Sequence, residues 1–97
     1  MTKQTLTVPE QMLYTRIDEI LFYQWDPIGI STSNWVRHEY HAYLADVFTY
    51  ALQQDSPDFI ATYLGQVTTE RMGLPNNEEK NTQIAQLIMD IKQGLAL

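Results

Sequence analysis

Apolar residues recur three and four positions apart along most of this chain, and this spacing divides it into four segments. Such a period places apolar side chains on one face of an α-helix and polar side chains on the other. The pattern predicts helices over about residues 9–23, 35–53, 57–72 and 77–93. The predicted inner faces consist of Leu13, Ile17, Ile20 and Leu21; Val36, Tyr40, Tyr43, Leu44, Val47, Phe48 and Ala51; Phe59, Ile60, Tyr63, Leu64 and Val67; and Ile84, Leu87, Ile88 and Ile91.

Capping residues mark the beginning of three of these helices. Thr7 and Glu10 have the spacing of a capping box, in which each side chain bonds the backbone N–H of the other residue. Ser56 and Asn77 precede the third and fourth segments, and both residue types are common N-caps. Residues 5–8 also fit a short edge strand, but the capping box favours the start of a helix there.

Other residues mark the helix ends and the first turn. Gly73 and Gly94 are each expected to end a helix in the left-handed conformation, and Lys92 complements the dipole of the fourth helix. Residues 26–29 have the composition of an ordered turn, because Pro fixes φ and Gly tolerates a positive φ.

No segment shows the sustained alternation of apolar and polar residues that is typical of β-strands. The chain is therefore predicted to be all-α, a compact four-helix bundle with a single domain over residues 1–97. No apolar run approaches the length of about 18 residues that a membrane span needs, and the first residues lack the apolar core of a signal peptide. Together with the absence of cysteine, these features lead us to expect a cytoplasmic protein.

The charge of the chain narrows the class of partner. Twelve acidic residues against six basic ones give a formal net charge of −6. This sign disfavours nucleic acid as a partner and favours docking onto a basic protein surface.

The side chains that carry catalysis or hold metals in other proteins form no recognisable motif here. His38 and His41 lie on roughly one helix face, but a zinc or iron site needs further ligands that converge on them. The serines occupy capping positions rather than a nucleophile motif, and the glycines are too scattered to cradle a phosphate. We therefore expect no enzyme activity, no cofactor and no metal, and the role of the two histidines stays open.

Several aromatic and acidic residues are instead candidates for a protein interface. Tyrosine and tryptophan beside acids are typical of such interfaces, and Trp35 and Tyr50 lie at the margin of the predicted inner faces. Residues 39–61 contain four acids and no Lys or Arg. The candidate interface residues are Trp35, Asp46, Tyr50, Asp55, Asp58, Glu78 and Glu79.

Three short motifs resemble a group of small helical proteins from bacteria. They are W-D-P-I-G at residues 25–29, R-H-E-Y followed by Y-L at residues 37–44, and T-E-R-M-G-L at residues 69–74. The resemblance implies a relationship to immunity proteins of bacterial toxins, including contact-dependent inhibition toxins. This chain departs from the group's pattern at His38, His41 and Ala45, where Asp, Asp and Pro are common.

The motif residues are interpreted as structural. We predict an internal polar network that links Asp26, Glu39 and Arg71 and holds the turn between the first two helices. The residues assigned to this turn and network are Trp25, Asp26, Pro27, Gly29, Glu39 and Arg71.

The leading functional hypothesis is an immunity protein that binds a cognate bacterial toxin domain, with a nuclease as the expected target. A nuclease binds phosphates, so its active site is positively charged and attracts an acidic inhibitor. One alternative is a helical housekeeping or adaptor domain that acts through homo-oligomer or other protein contacts. A second alternative is a metal- or ligand-binding bundle centred on His38 and His41.

Overall fold

A computed structural model of the chain describes residues 6–25 and 34–97, with the backbone alone for residues 34–40. The described residues form helices and no strand, which confirms the prediction of an all-α four-helix bundle. Two π-helical segments, Ile20–Trp25 and Val67–Arg71, continue the first and third helices. None of the described helices combines the length and apolar composition needed to cross a membrane. The helices are α1 (Val8–Glu19), α2 (Asn34–Gln53), α3 (Asp58–Gln66) and α4 (Glu78–Gly94).

The apolar core lies where the four helices meet. Helix α3 packs chiefly against α4 and α1 packs chiefly against α2, while α2 also contacts α3 and α4. The predicted inner faces supply most of this core, as their helical period requires. The buried apolar residues are Leu13, Ile17, Ile20, Leu21, Phe22, Trp25, Tyr43, Leu44, Val47, Phe48, Ala51, Ile60, Leu64, Val67, Ile84, Ala85 and Ile88.

The prediction that Phe59 lies on the inner face of α3 is wrong, because 47% of this residue is exposed. Ile60 and Leu64 are fully buried and occupy the centre of the inward face. Phe59 lies about 100° around the helix axis from Ile60, on the flank where Tyr63 is half-buried.

Two of the three predicted caps at the helix beginnings are confirmed. The Thr7 hydroxyl accepts the Glu10 backbone N–H at 3.2 Å, and the Glu10 carboxylate accepts the Thr7 N–H at 2.8 Å. Asn77 accepts the Lys80 N–H at 3.1 Å. The prediction that Ser56 is the N-cap of the third helix is wrong by one residue, because α3 begins at Asp58 with Pro57 as its N-cap; Ser56 accepts the Asp58 N–H at 3.2 Å from just before it. The capping box starts α1 at Val8, so a strand over residues 5–8 is excluded at that residue.

One of the two predicted glycine ends is confirmed and the other is wrong. Gly73 has a φ of 65°, as expected for the residue that ends α3 and its π-helical extension. Gly94 is instead the last residue of α4, and Ala96 adopts the left-handed conformation with a φ of 58°. The N–H groups of Ala96 and Leu97 donate to the carbonyls of Gln93 and Lys92, which is the Schellman pattern.

The π-helical end of α1 accounts for the burial of residues that an α-helix would separate. Ile20 and Trp25 are both 1% exposed, although residues five apart lie about 140° apart around an α-helix. Hydrogen bonds in a π-helix join residues five apart and bring them toward one face. The wider turn therefore lets both side chains reach the core.

Lys92 joins the ends of two helices. It lies in the last turn of α4 as predicted, but it is 8% exposed, and its Nζ donates to the Gln54 carbonyl at 3.0 Å. Gln54 directly follows α2, where helix carbonyls lack partners within the helix. Lys92 thus caps the end of α2 as well as complementing the dipole of α4.

Candidate functional site

Three aromatic residues form a cluster on the surface between α2 and α3. The Tyr50 ring lies 4.7 Å from the Phe59 ring and 5.1 Å from the Tyr63 ring, centroid to centroid. Phe59 and Tyr63 are one turn apart on the flank of α3, so both meet the same face of α2. Such tilted and edge-to-face contacts are favourable arrangements for aromatic pairs.

This cluster lines a cavity of about 560 Å³, called the α2–α3 cleft below. It combines ring surfaces with one carboxylate, that of Asp58, and with hydroxyl and amide groups. None of the described residues that line it carries a positive charge. The lining residues are Tyr50, Ser56, Asp58, Phe59, Thr62, Tyr63 and Gln66.

Asp46 holds one of the residues that line the cleft, Tyr63, although it does not line the cleft itself. The Tyr63 hydroxyl donates to Asp46 Oδ2 at 2.7 Å, and both residues are half-buried. Burial and the negative charge of Asp46 raise the pKa of the Tyr63 hydroxyl above its ordinary value. Tyr63 is therefore neutral at physiological pH and acts as the donor in this hydrogen bond.

A second cavity, called the α3–α4 cleft, lies on the other side of the exposed face of α3. It has a volume of about 420 Å³ and includes the carboxylates of Asp58 and Glu78. Asp58, Thr62 and Gln66 line both clefts, so the exposed ridge of α3 separates them. Within the described part of the chain, the lining of this second cleft also lacks a basic residue.

The structure brings only part of the predicted interface together. Tyr50 and Asp58 both line the α2–α3 cleft, Asp46 is joined to it through the Tyr63 hydroxyl, and Glu78 lies across α3 in the neighbouring cleft. The remaining residues are placed elsewhere or lie outside the described side chains. Asp55 lines a different cavity with Asp90, Glu79 is exposed in the first turn of α4, and the side chain of Trp35 lies outside the described residues.

The predicted polar network is only partly within the described residues. Asp26, Pro27 and Gly29 lie outside them, as does the side chain of Glu39, so their link to Arg71 stays a prediction. The Arg71 guanidinium lies over the Tyr43 ring, 5.7 Å from its centroid, in the range of a cation–π contact.

Trp25 belongs to a buried polar chain that the motifs did not indicate. Its indole N–H donates to Asn81 Oδ1 at 3.0 Å, and Asn81 Nδ2 donates to Asn76 Oδ1 at 2.9 Å. Asn81 is 3% exposed. Its position three and four residues before Ile84 and Ala85 was the available signal, because this spacing places it on the inward face of α4.

The described residues contain no group of three or more His, Asp or Glu side chains arranged to hold a metal ion. His41 is half exposed, and its Nε2 lies 3.4 Å from Asp18 Oδ1 on α1. This contact places one of the two histidines at the α1–α2 surface. The side chain of His38 lies outside the described residues.

Comparison of the chain with protein-family models, curated proteins and solved structures found no match. The described residues thus form an all-α fold with a cleft on either side of α3. Both clefts contain carboxylates, and aromatic rings line the α2–α3 cleft.

Proposed function

We propose that this chain is an immunity protein that binds a cognate bacterial toxin domain, with a nuclease as the expected target, and blocks it stoichiometrically. The observation that carries the proposal is the α2–α3 cleft, where the rings of Tyr50, Phe59 and Tyr63 adjoin the carboxylates of Asp46 and Asp58. Exposed phenylalanine and tyrosine side chains are enriched at protein-binding surfaces, and the neighbouring acids favour a partner of opposite charge.

The negative charge of the chain supports the proposal that its partner is basic. The chain has a net charge of −6, and the two clefts beside α3 add local carboxylates without a described basic residue in their linings. A nuclease site carries positive charge because it binds phosphates, so an acidic protein is drawn to it and covers it. The resemblance of the W-D-P-I-G, R-H-E-Y and T-E-R-M-G-L motifs to immunity-type proteins favours a toxin as that basic partner.

The proposal is tested with the product of the gene directly upstream of this one. Co-expression with that product should restore growth if it is a toxin, and the purified proteins should form a one-to-one complex. The double variant Tyr50→Ala/Asp58→Asn should weaken the complex, because it removes an aromatic wall and the cleft's carboxylate.

Glu19→Gln is the matched control. It removes one exposed acid from α1, whose ion pair with Arg16 at 3.8 Å is too exposed to contribute much stability. Growth that is not restored, together with self-association of the chain through the same cleft, would support the adaptor alternative instead.

A further inference from the structure

The α2–α3 cleft presents aromatic surface to solvent. Phe59 is 47% exposed, its ring packs at a tilt on Tyr50, and Tyr50 also contacts Tyr63. The face of an aromatic ring carries partial negative charge and attracts a cation positioned within about 6 Å of the ring centroid. The same chemistry already operates nearby, where the Arg71 guanidinium lies over the Tyr43 ring.

Hydrogen-bond acceptors accompany these rings. The Asp58 carboxylate lines the cleft together with Thr62 and Gln66, whose hydroxyl and amide oxygens are also acceptors. The described lining contains no Lys, Arg or His to neutralise Asp58. A bound group that carries both a positive charge and several N–H donors therefore fits the cleft best.

Of the protein side chains, arginine meets these requirements most fully. Its planar guanidinium stacks on aromatic faces, presents a fork of N–H donors to a carboxylate and is more weakly hydrated than an ammonium group. A leucine or phenylalanine side chain would cover Asp58 without satisfying its charge, which is unfavourable. An acidic side chain would be repelled by the same carboxylate.

We propose that the α2–α3 cleft receives an arginine side chain of the protein partner, with its guanidinium stacked on the rings of Phe59 and Tyr50 and hydrogen-bonded to Asp58. The inference rests on the proposed function for the presence of a basic partner. It goes further by naming the residue type that the partner inserts.

The experiment uses three tripeptides, acetyl-Gly-Xaa-Gly-amide, in which Xaa is arginine, lysine or the neutral arginine analogue citrulline. NMR titration of the isotopically labelled chain follows the backbone amides of Phe59, Thr62 and Gln66. The arginine peptide should shift these amides saturably. Citrulline should bind roughly tenfold more weakly, because it loses both the cation–π contact and the ionic hydrogen bond. Lysine should bind more weakly than arginine.

Two variants and two controls locate the site. Phe59→Ala and Asp58→Asn should each weaken arginine-peptide binding by roughly fivefold, the loss of one cation–π contact or one ionic hydrogen bond. Met12→Ala, also an exposed apolar residue, and Glu79→Gln, also an exposed acid, should leave it unchanged. Circular dichroism confirms that each variant is folded. Equal binding of citrulline, equal binding of lysine, or shifts centred elsewhere would overturn the inference.

Failure of the inference and failure of the proposed function give different results. If the upstream product forms a complex but the arginine peptide does not bind the cleft, the inference is wrong and the immunity function stands. If the peptide binds as expected but the upstream product neither arrests growth nor forms a complex, the toxin partner is wrong and the arginine site stands.

Discussion

Tyr63 is the residue that connects the α2–α3 cleft to α2. Its hydroxyl donates to Asp46, 17 positions earlier in the chain, at 2.7 Å. Loss of its proton would place two negative charges side by side in a half-buried position, so the ionised form is disfavoured. Burial is the larger cause of the raised pKa of Tyr63, and the contact with Asp46, which also fixes the position of the ring, raises it further.

Alkaline pH should reveal this interaction. The folded-state pKa of Tyr63 lies above the unfolded value of about 10. Its contribution to stability is therefore fully present below about pH 10 and is lost as the pH rises toward the folded-state pKa. Tyr63→Phe has no proton to lose, so the stability difference between the natural protein and this variant should change in favour of the variant above about pH 10.

Urea denaturation at a series of pH values measures that difference. Tyr14→Phe is the control, because it removes a hydroxyl from a tyrosine that contacts Phe48 outside the cleft. The two variants should diverge in the alkaline range. A difference between the natural protein and Tyr63→Phe that stays constant across this range would contradict the interpretation.

Asn81 is a second residue whose role depends on burial. Asn81→Ala removes the acceptor of the Trp25 indole N–H and the donor to Asn76. The free energy of unfolding should fall by about 1–3 kcal/mol, the usual effect of breaking the hydrogen bonds of a buried polar group. Gln83→Ala, at an exposed position of α4, should change it by less than about 0.5 kcal/mol. If the two variants were equally stable in urea, the hydrogen bonds of Asn81 would not contribute to the stability of the core.

At the scale of elements, local signals predicted the helices well. Capping residues and helical periodicity act within a few positions, and the four predicted segments match the four helices to within two residues when the π-helical extensions of α1 and α3 are included. The π-helical extensions and the exposure of Phe59 were not predictable in this way. They depend on which positions the neighbouring helices cover, and Ile60 and Leu64 take the central place on α3.

The end of α4 gives a test of an element boundary. A Cβ at Gly94 would meet no atom within 4 Å, whereas Ala96 adopts a positive φ that suits glycine. Gly94→Ala should therefore stabilise the protein through helix propensity, by less than the roughly 1 kcal/mol that separates Gly from Ala in a helix interior, because Gly94 is the last residue of α4. Ala96→Gly should stabilise it by about 1 kcal/mol by relieving the left-handed alanine.

Thermal unfolding of the two single variants and of the double variant measures both effects. If Gly94 were the left-handed cap, as the sequence alone indicated, Gly94→Ala would lower the melting temperature. A lower melting temperature for Ala96→Gly would likewise place the end of α4 elsewhere.

At the scale of the whole molecule, distant residues complete what local patterns leave open. The contact of Trp25 with Asn81 spans 56 positions and that of Lys92 with Gln54 spans 38. No short-range spacing encodes such pairs. For the same reason, composition indicated aromatic and acidic residues only as interface candidates. The packing of α2 on α3 is what places Tyr50 and Asp58 in one cleft, joins Asp46 to it through Tyr63 and leaves Asp55 in a different cavity.

The placement of charge leads to a prediction about the rate of complex formation with the proposed basic partner. Electrostatic attraction mainly accelerates association, and salt at about 0.1 M screens it beyond about 10 Å. The double variant Asp58→Asn/Glu78→Gln removes two carboxylates from the clefts beside α3, whereas Glu19→Gln/Asp90→Asn removes two from elsewhere. Both variants have the same net charge.

At low salt the Asp58→Asn/Glu78→Gln variant should associate with the partner several-fold more slowly than the Glu19→Gln/Asp90→Asn variant, and this difference in association rate should decrease as salt is added. Equal association rates in stopped-flow measurements would mean that net charge alone steers the partner and that the surface around α3 is not where it docks.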